Sequence, residues 1–373
     1  MDKPQITFEG HIAQIERNLK LNLQEQLEQL DYLQSRPLHV AVATGQRCNL
    51  RCVFCSDRDA SPAAYTDLTL DQFLQFADPM DKASRVQIYG WGEPFFNPNY
   101  ERIFNYVVEH YPGTRIHVST NGTLLTDKWI DRLLAYGKCL INVSLNAATA
   151  ETYAQVTQRD LFDRVVDNLR RLVQAKQQRG IDDFVITVSF VTIKPNIHDL
   201  PRFVELCAEL GIRHVKLLDL NVRRESLRHL FLGRDTAKVR EIFLAAREIA
   251  LAQDICLDTF VYYPVTYFEQ DRSAYTYSDL PADLQPVWRQ VGDTPFYPQR
   301  GECYEPWHNF MGMQSGAVYT CCRGREVMGN LLEQSFQEIW NGEKYRAYRR
   351  SINSFRPPQA CRGCPVKMGY DIR

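Results

Sequence analysis

Residues 39–55 have the sequence HVAVATGQRCNLRCVFC, and this stretch decides how the rest of the chain is understood. Its first five residues are apolar and partly β-branched after the leading histidine, which predicts a buried strand. The cysteines Cys48, Cys52 and Cys55 follow directly in a C-x3-C-x2-C arrangement. The stretch therefore predicts a metal-binding loop that leaves the carboxyl end of a strand.

Three closely spaced thiolates suit a cubane iron–sulfur cluster. They hold three of its corners and leave the fourth iron open to an exogenous molecule. Zinc bound by three cysteines is the alternative for such a loop. On the first interpretation, a cofactor binds at the open iron and is reduced there.

Short β-branched or aromatic runs alternate along the chain with segments of helical periodicity. Strands are predicted at 39–43, 86–89, 115–119, 140–145, 184–193 and 214–218. Six βα units in succession predict an α/β fold with a parallel sheet and right-handed crossovers. At this length the sheet should curve into a partial (β/α)6 TIM-type barrel with its active site at the carboxyl ends of the strands. An open doubly wound sheet is the alternative.

The 373 residues divide into four predicted regions: an N-terminal helical extension at 1–37, the partial barrel at 38–220, a connecting insertion at 221–299 and a cysteine-rich domain at 300–373. An apolar stripe from Ile12 to Leu33 predicts that the first helix packs on the protein's own surface, with a partner-binding face as the alternative. The insertion should contain a helix at 235–253 and a strand at 255–261. Its aromatic residues, which either line a substrate channel or pack locally, are Tyr262, Tyr263, Tyr267 and Phe268.

The overall charge excludes some partners. A formal charge of −1 and a pI near 6.7 give no basic field for nucleic acid or for an anionic membrane. With no leader-like start and no long apolar stretch, the chain is expected to be cytoplasmic. Eleven cysteines in such a protein favour metal binding over disulfides.

A second group of cysteines lies near the C terminus: Cys303, Cys321, Cys361 and Cys364. Gly316 predicts a hairpin tip that brings the first two together, and the C-x2-C pair supplies two more thiolates. Four thiolates can ligate one iron–sulfur cluster completely, although they also suit tetrahedral zinc. Cys322 competes with Cys321 for the same position, and the spacing from Gly316 favours Cys321.

The front loop and the strand ends that follow it resemble the radical S-adenosylmethionine (SAM) enzymes. This resemblance implies a [4Fe–4S] cluster on Cys48, Cys52 and Cys55, with the amine and carboxylate of S-adenosylmethionine on the open iron. It also implies that Phe54 packs near the adenine of the cofactor.

Three later motifs extend the resemblance. Gly90-Trp91-Gly92-Glu93-Pro94 is similar to the family's Gly-Gly-Glu-Pro element, with an extra tryptophan between the glycines. Ser119-Thr120-Asn121-Gly122 follows the third strand, and Ser144 and Asn146 follow the fourth. The resemblance implies cofactor-binding roles for Gly90, Gly92, Glu93, Asn121, Ser144 and Asn146.

The C-terminal pattern resembles the SPASM/twitch extension that one branch of these enzymes carries. It implies one auxiliary [4Fe–4S] cluster on Cys303, Cys321, Cys361 and Cys364, because the chain lacks the further cysteines of a complete SPASM region after Cys364. A fully ligated auxiliary cluster suits electron transfer and hence net oxidation.

The family resemblance implies reduction by a flavodoxin- or ferredoxin-type protein, cleavage of S-adenosylmethionine to a 5′-deoxyadenosyl radical, and removal of a substrate hydrogen atom. The preferred substrate is a ribosomally made peptide that is crosslinked, excised or epimerised, with a separate recognition protein because the N-terminal region is short. A dehydrogenase of a small sugar or aminocyclitol is the alternative. A non-catalytic iron–sulfur electron carrier and a zinc-stabilised binding module are more distant ones. No residue is identified as a substrate acid or base.

Overall fold

The computed structural model describes residues 6–55, 67–220, 225–232, 237–260, 303–322 and 326–361. The chain divides into two compact units. The first unit contains Met1–Gln46, Thr66–His117 and Pro286–Arg373, and the second contains Arg47–Tyr65 and Val118–Gln285. The aromatic residues of the insertion from Tyr262 to Phe268, and Cys364, lie outside the described residues.

The first unit combines the start of the chain with its C-terminal region. Its strands are β1 (His39–Ala43), β2 (Arg85–Tyr89), the first half of β3 (Arg115–Thr120), β8 (Asn309–Gly312), β9 (Ala317–Tyr319) and β10 (Gly329–Asn330). Its helices are α1 (Phe8–Leu27), α2 (Leu70–Phe73), α3 (Ala77–Met80), α4 (Tyr100–His110), α10 (Glu305–His308), α11 (Phe336–Trp340) and α12 (Glu343–Ser351). Short 3-10 turns are formed by Leu74–Phe76, Pro94–Phe96 and Gln359–Cys361.

Parallel and antiparallel strands share the sheet of this unit, in the order β10-β9-β8-β1-β2-β3. Strand β1 pairs in parallel with β2 on one side and with β8 on the other. The hairpin of β8 and β9 is antiparallel, and its tip contains Gly316 at φ +82°, a left-handed conformation that glycine adopts without strain. The C-terminal region thus contributes a strand beside β1, which the sequence analysis did not predict.

The second unit is a parallel sheet with helical connections. Its strands are β4 (Cys139–Ser144), β5 (Val185–Thr192), β6 (His214–Asp219) and β7 (Cys256–Phe260), paired in that order. Its helices are α5 (Asp127–Tyr136), α6 (Ala150–Thr157), α7 (Phe162–Arg179), α8 (Leu200–Glu209) and α9 (Ala237–Ala252). Short 3-10 turns are formed by Ile197–Asp199 and Glu225–Leu230.

The predicted fold class is confirmed: the protein is mixed α/β with a parallel sheet and a C-terminal cluster-type domain. Predicted and observed strand bounds agree within about a residue. In β2 and β3 the even-numbered side chains are buried and the odd-numbered ones are partly exposed, whereas β1 and β5 are buried along almost their whole length. The strand predicted at 255–261 is β7. The four predicted region boundaries stay a prediction.

Helix α1 packs within the first unit, as its apolar stripe predicted. Leu19 and Leu23 form a buried cluster with Leu38. The helix ends at Leu27, which is 66% exposed; Leu27 and Leu30 therefore do not pack as predicted, whereas Leu33, beyond the helix, is buried. Buried amides replace that packing: Asn22 donates a hydrogen bond of 2.7 Å to the carbonyl of Trp307. None of the helices in the described residues has the length and apolar character that crossing a bilayer requires.

Candidate radical-cofactor site

The loop of the three front cysteines lies in the second unit and is held by its main chain. The backbone N–H of Arg51 donates to the carbonyl of Thr157 at 3.1 Å, and that of Val53 donates to Val156 at 2.9 Å. These two acceptors belong to the last turn of α6. These two backbone bonds attach the middle of the loop to the end of α6.

A ring of uncharged side chains holds the start of this loop. Asn121 donates to Asn49 Oδ1 at 2.8 Å, and Asn49 donates to Thr123 Oγ1 at 2.8 Å. Thr123 closes the ring by donating its hydroxyl to Asn121 Oδ1 at 2.6 Å. The ring connects the segment after β3 to the residue next to Cys48, so the side chain of Asn121 helps to hold the cysteine loop in place.

Two N–H groups are directed at the sulfur of Cys48. The backbone N–H of Leu50 lies 3.4 Å from Sγ, and the Asn121 side-chain amide lies 3.7 Å from it. Such donors stabilise a thiolate and tune a cluster bound to it. Cys48 is exposed, while Cys52 and Cys55 are partly buried.

The three thiols fit the donor set that an iron–sulfur cluster requires. They lie on one anchored loop, are not buried in apolar surroundings, and include one sulfur that already receives N–H donors. In the described ranges, no three His, Cys, Asp or Glu side chains already form a group that could hold a metal ion. Cluster binding would therefore draw the three sulfurs of the loop together.

Phe54, the residue before the third cysteine, packs into an apolar cluster of the second unit. The cluster contains Val156, Ile193, Leu220, Leu227 and Leu230, with Val53 and Phe54 against it. Its members come from α6, the segment after β5, the end of β6 and the turn that follows. The Phe54 ring is therefore held in one place while it remains partly exposed.

The Gly-Trp-Gly-Glu-Pro segment lies in the first unit, directly after β2. A Cβ atom at position 90 would collide with the carbonyl oxygen of Gly45, so only glycine fits there. The N–H of Gly92 donates to the same carbonyl at 3.3 Å. Glu93 is 3% exposed and accepts a hydrogen bond of 3.2 Å from the N–H of Phe95. The close packing of this loop accounts for the glycine at position 90, and the bond from Phe95 holds the carboxylate of Glu93.

Ser144 and Asn146 differ in how accessible they are. Ser144 is partly exposed, and its hydroxyl lies 3.2 Å from that of Ser189. Asn146 is 2% exposed, has φ +61°, and accepts a hydrogen bond of 2.8 Å from the N–H of Val191. Its carbonyl accepts from Asn196 at 2.9 Å. Ser144 is therefore the more available of the two groups for a ligand.

Among the described residues of the first unit, Cys303, Cys321 and Cys361 lie near the second half of α12 and the segment that follows it. The side chain of Asn353 makes two bonds with the backbone of Cys303, of 2.8 and 3.2 Å. Burial, the hydrogen bond to Glu326, and the nearby thiols of Cys361 and Cys321 raise the pKa of Tyr348. Cys321 and Cys361 both lie near Tyr348, whereas Cys322 is exposed.

Sequence reasoning missed several amides that position these loops. Asn49 and Asn196 are two of them, and a third is Asn97, which is 4% exposed and donates to the carbonyl of Thr44 at 2.8 Å. Each amide stands in a loop after a strand, where a solvated residue is the usual interpretation. Because side-chain amides satisfy loop backbone groups that sheets and helices leave unpaired, their position after strands was an available signal.

Comparison with protein families agrees with this geometry. A model described as "Radical SAM superfamily" matches residues 42–207, and a SPASM model described as an iron–sulfur cluster-binding domain matches residues 303–365. Together the two matches span more than half of the chain.

Similar sequences cover most of the chain. An AdoMet-dependent heme synthase of Methanosarcina barkeri is 24% identical over 319 residues, which are 81% of this chain and 82% of that protein. A tungsten-containing aldehyde ferredoxin oxidoreductase cofactor-modifying protein of Pyrococcus furiosus is 24% identical over 337 residues, which are 87% of this chain and 86% of its own. A mycofactocin maturase of Mycobacterium tuberculosis is 28% identical over 189 residues, 50% of this chain and 45% of the maturase.

A solved structure shares the fold over nearly the whole chain. SuiB of Streptococcus suis has a TM-score of 0.62 at 15% identity and covers 90% of this chain and 72% of its own. One of its structures is described as bound to the precursor peptide SuiA, with the same TM-score at 14% identity over 94% of this chain and 74% of that one.

Proposed function

Because this chain belongs to the radical SAM superfamily and carries a SPASM iron–sulfur cluster-binding domain, we propose that it oxidatively modifies a ribosomally made peptide. The observation that carries the radical chemistry is the front cysteine loop, with Cys48 exposed and N–H donors from Leu50 and Asn121 directed at its sulfur.

The loop cysteines Cys48, Cys52 and Cys55 would hold the first cluster. When bound, a reduced [4Fe–4S] cluster supplies the electron that splits S-adenosylmethionine into methionine and a 5′-deoxyadenosyl radical. The protein's own contribution is to hold the loop through α6 and to exclude water from the reacting atoms.

We assign the cofactor contacts to the residues that follow the strands. The packed loop of Gly90, Gly92 and Glu93 would bind the methionyl amine, mainly with backbone groups. Phe54 would pack on the adenine, and Ser144 would contact the ribose. Asn121 would act mainly through Cys48 and Asn49. Asn146 would act by shaping the turn after β4, since its side-chain oxygen accepts from Val191.

The auxiliary cluster would be held by Cys303, Cys321, Cys361 and Cys364. With four protein thiolates, it would leave no iron open to substrate and would suit removal of an electron from the substrate radical. A flavodoxin- or ferredoxin-type protein is the proposed external reductant. A separate protein would recognise the peptide leader.

The peptide substrate is supported by the mycofactocin maturase among the similar sequences. A small-molecule substrate is the second candidate. It is favoured by the two relatives that align over more than four fifths of this chain, whose names refer to heme and to cofactor modification. Those names favour a cofactor-like molecule over the sugar or aminocyclitol considered from the sequence.

The test is an anaerobic reaction of reconstituted protein with S-adenosylmethionine and a strong reductant. Formation of 5′-deoxyadenosine is expected. Incubation with precursor peptides encoded beside the gene should then give products whose mass is reduced by the hydrogen atoms lost. Absence of 5′-deoxyadenosine would refute the radical chemistry. Cleavage of S-adenosylmethionine without any change in the mass or the stereochemistry of the peptides would refute the peptide assignment.

A further inference from the structure

The backbone pairing of β4 with β5 ends close to the proposed cofactor contacts of the second unit. The last pair in the register is Ser144 with Ser189. Two residues after Ser144, Asn146 has φ +61°, a left-handed conformation in which the chain turns away from the strand. The backbone groups of Val191, further along β5, therefore need partners other than a continuing strand.

Two side-chain amides provide these partners. The N–H of Val191 donates to Asn146 Oδ1 at 2.8 Å, and the carbonyl of Val191 accepts from Asn196 Nδ2 at 2.9 Å. The same nitrogen of Asn196 donates to the carbonyl of Asn146 at 2.9 Å. We call Asn146 and Asn196 the amide clamp. Both side chains are buried, so their bonds are shielded from water.

The position of Asn196 requires the donors of an amide. A side-chain amide has two N–H donors, and Asn196 gives both of them to carbonyl groups. Its Oδ1 accepts from the N–H of Ile193 at 3.0 Å. The reverse orientation of the amide would place Oδ1 against two carbonyl oxygens, so the partners determine the orientation. A carboxylate of the same shape could not make these bonds.

The amide clamp connects the two segments that we assign to the nucleoside part of S-adenosylmethionine. On one side it holds the turn that follows Ser144, the proposed ribose contact. On the other side it holds Ile193, a member of the buried cluster against which Phe54 packs. Phe54 is the proposed adenine contact. One buried side chain, Asn196, therefore bonds to the supports of both contacts.

The place of the amide clamp in the fold favours a role in ligand binding. It joins two parallel strands where they separate at their carboxyl ends, and ligands of parallel α/β sheets bind at these ends. Loops that are fixed before a ligand arrives lose little conformational entropy when it binds. The expected contribution of the amide clamp is therefore to the affinity for the ligand.

We propose that the amide clamp positions the binding site for the nucleoside part of S-adenosylmethionine, with Asn196 holding the ribose and adenine contacts in place relative to each other. The inference rests on the proposed function, because that function assigns Ser144 and Phe54 to the cofactor. Asn196 is a positioning residue: it acts through these two contacts.

The test uses the reconstituted holoenzyme under anaerobic conditions. Without reductant, calorimetry measures the affinity for S-adenosylmethionine and, in the presence of methionine, for 5′-deoxyadenosine. Asn196→Ala should weaken the binding of both by at least about tenfold, because both contain the nucleoside and supporting hydrogen bonds contribute this much to a binding site. With reductant, the rate of 5′-deoxyadenosine formation at saturating S-adenosylmethionine should change far less, so the effect appears in KM rather than in kcat.

Asn22 provides the matched control in the first unit. It is as buried as Asn196, donates to Ser35 Oγ and to the carbonyl of Trp307, and accepts from Gln26. Asn22→Ala removes the same number of bonds and should also lower the free energy of unfolding. Its affinity for S-adenosylmethionine should stay that of the wild type.

A second variant keeps the test decisive if Asn196→Ala does not fold. Asn146→Gly tolerates the left-handed conformation but loses the bond to Val191. It should weaken binding of S-adenosylmethionine by a smaller factor, because the bond from Asn196 to the carbonyl at position 146 remains.

Three results would overturn the inference: unchanged affinity in both clamp variants, equal weakening in Asn196→Ala and Asn22→Ala, or weaker binding of S-adenosylmethionine with unchanged binding of 5′-deoxyadenosine. The first would show that the clamp does not act on the site, the second that it is only structural, and the third that it acts on the methionine part. Formation of 5′-deoxyadenosine by the wild type, measured in the same preparations, reports separately on the proposed function.

Discussion

The two cysteine groups are supported in different ways. The front loop is attached through its main chain to α6 and through the Asn49–Asn121–Thr123 ring, and it leaves Cys48 exposed. Cys321 lies near Tyr345, whose ring contacts those of Phe310 and Trp340, and Cys303 is held by the side chain of Asn353. In zinc proteins, catalytic metals keep an open coordination position and structural ones are fully ligated. We expect the same division here, with three protein ligands in the front loop and four in the C-terminal group.

The largest expected effect comes from removing the front cysteines. The variant with Cys48, Cys52 and Cys55 all changed to Ala should lose 5′-deoxyadenosine formation completely, because no open iron remains to bind the cofactor. Its iron content should fall from about eight to about four per chain. Iron analysis and chromatography of the reaction mixture measure the two quantities.

The control for this variant is Cys139→Ala, which changes a fully buried cysteine on β4. It should keep its iron and its cleavage activity. Cofactor cleavage by the triple variant would show that the front loop is not the radical site, and the comparison between the two cysteine groups would lose its meaning.

The second effect concerns the C-terminal cysteine group. Cys321→Ala should lose about four irons per chain, while Cys322→Ala should retain all of them. The reason is that Cys321 lies near Tyr345 and Tyr348, whereas Cys322 is exposed. Iron and sulfide analysis after anaerobic reconstitution decides between them. Retention of iron by Cys321→Ala together with loss from Cys322→Ala would reverse the assignment.

The third effect concerns the stability of the C-terminal region. Arg349 is 1% exposed, donates to the carbonyls of Pro306 and Asp31 at 2.9 Å, and stacks 4.4 Å from the ring of Trp340. Arg349→Ala would leave buried acceptors without donors, so it should lower the free energy of unfolding by about 3 kcal/mol. Urea denaturation measures the loss.

Arg350 provides the matched control one residue later. It is exposed and pairs with Asp31 and Glu343 at the surface, where ion pairs contribute little. Arg350→Ala should therefore change the urea midpoint far less than Arg349→Ala. Equal losses in the two variants would mean that the buried network does not support this region.

Much of this organisation could be predicted from the sequence, because it depends on local signals. The β-branched and aromatic runs located β1 to β7, and Gly316 marked a hairpin tip. The cysteine spacing identified both groups, and the motifs at the strand ends led to the family that the comparisons then supported.

What could not be predicted depends on contacts between distant segments. The pairing of β8 with β1 joins residues about 270 positions apart, and no local pattern specifies it. A capping box of Thr69 and Gln72 starts α2, but the helix ends after one turn because a 3-10 turn at Leu74–Phe76 follows it.

The smallest effect is a dependence of the free energy of unfolding on pH, which should affect α1 more than the front cysteine loop. His11 is 1% exposed and joins α1 to two loops: its Nδ1 accepts from the N–H of Gly113 at 3.0 Å, and its Nε2 lies 3.1 Å from the carbonyl of Asp81. The Gly113 bond requires neutral imidazole with the proton on Nε2. Burial accordingly lowers the pKa of His11.

A histidine with a lowered pKa in the folded state takes up its proton more readily when unfolded. The unfolded chain therefore binds more protons below about pH 6.5, and stability should decrease as the pH falls through that value. His11→Gln cannot titrate, so its urea midpoint should depend less on pH between 7.5 and 5.5 than that of the wild type. His110→Gln, at an exposed position of α4, should leave the dependence unchanged.

Hydrogen exchange extends this measurement to the front loop. The side chains that hold the loop, Asn49, Asn121 and Thr123, carry no charge and do not titrate. Acidification to pH 5.5 should therefore increase the amide exchange of α1 more than that of residues 48–55. Both rates are corrected for the change in intrinsic exchange with pH. Equal loss of protection in both segments would mean that the two regions unfold together, and that their different supports do not make them independently stable.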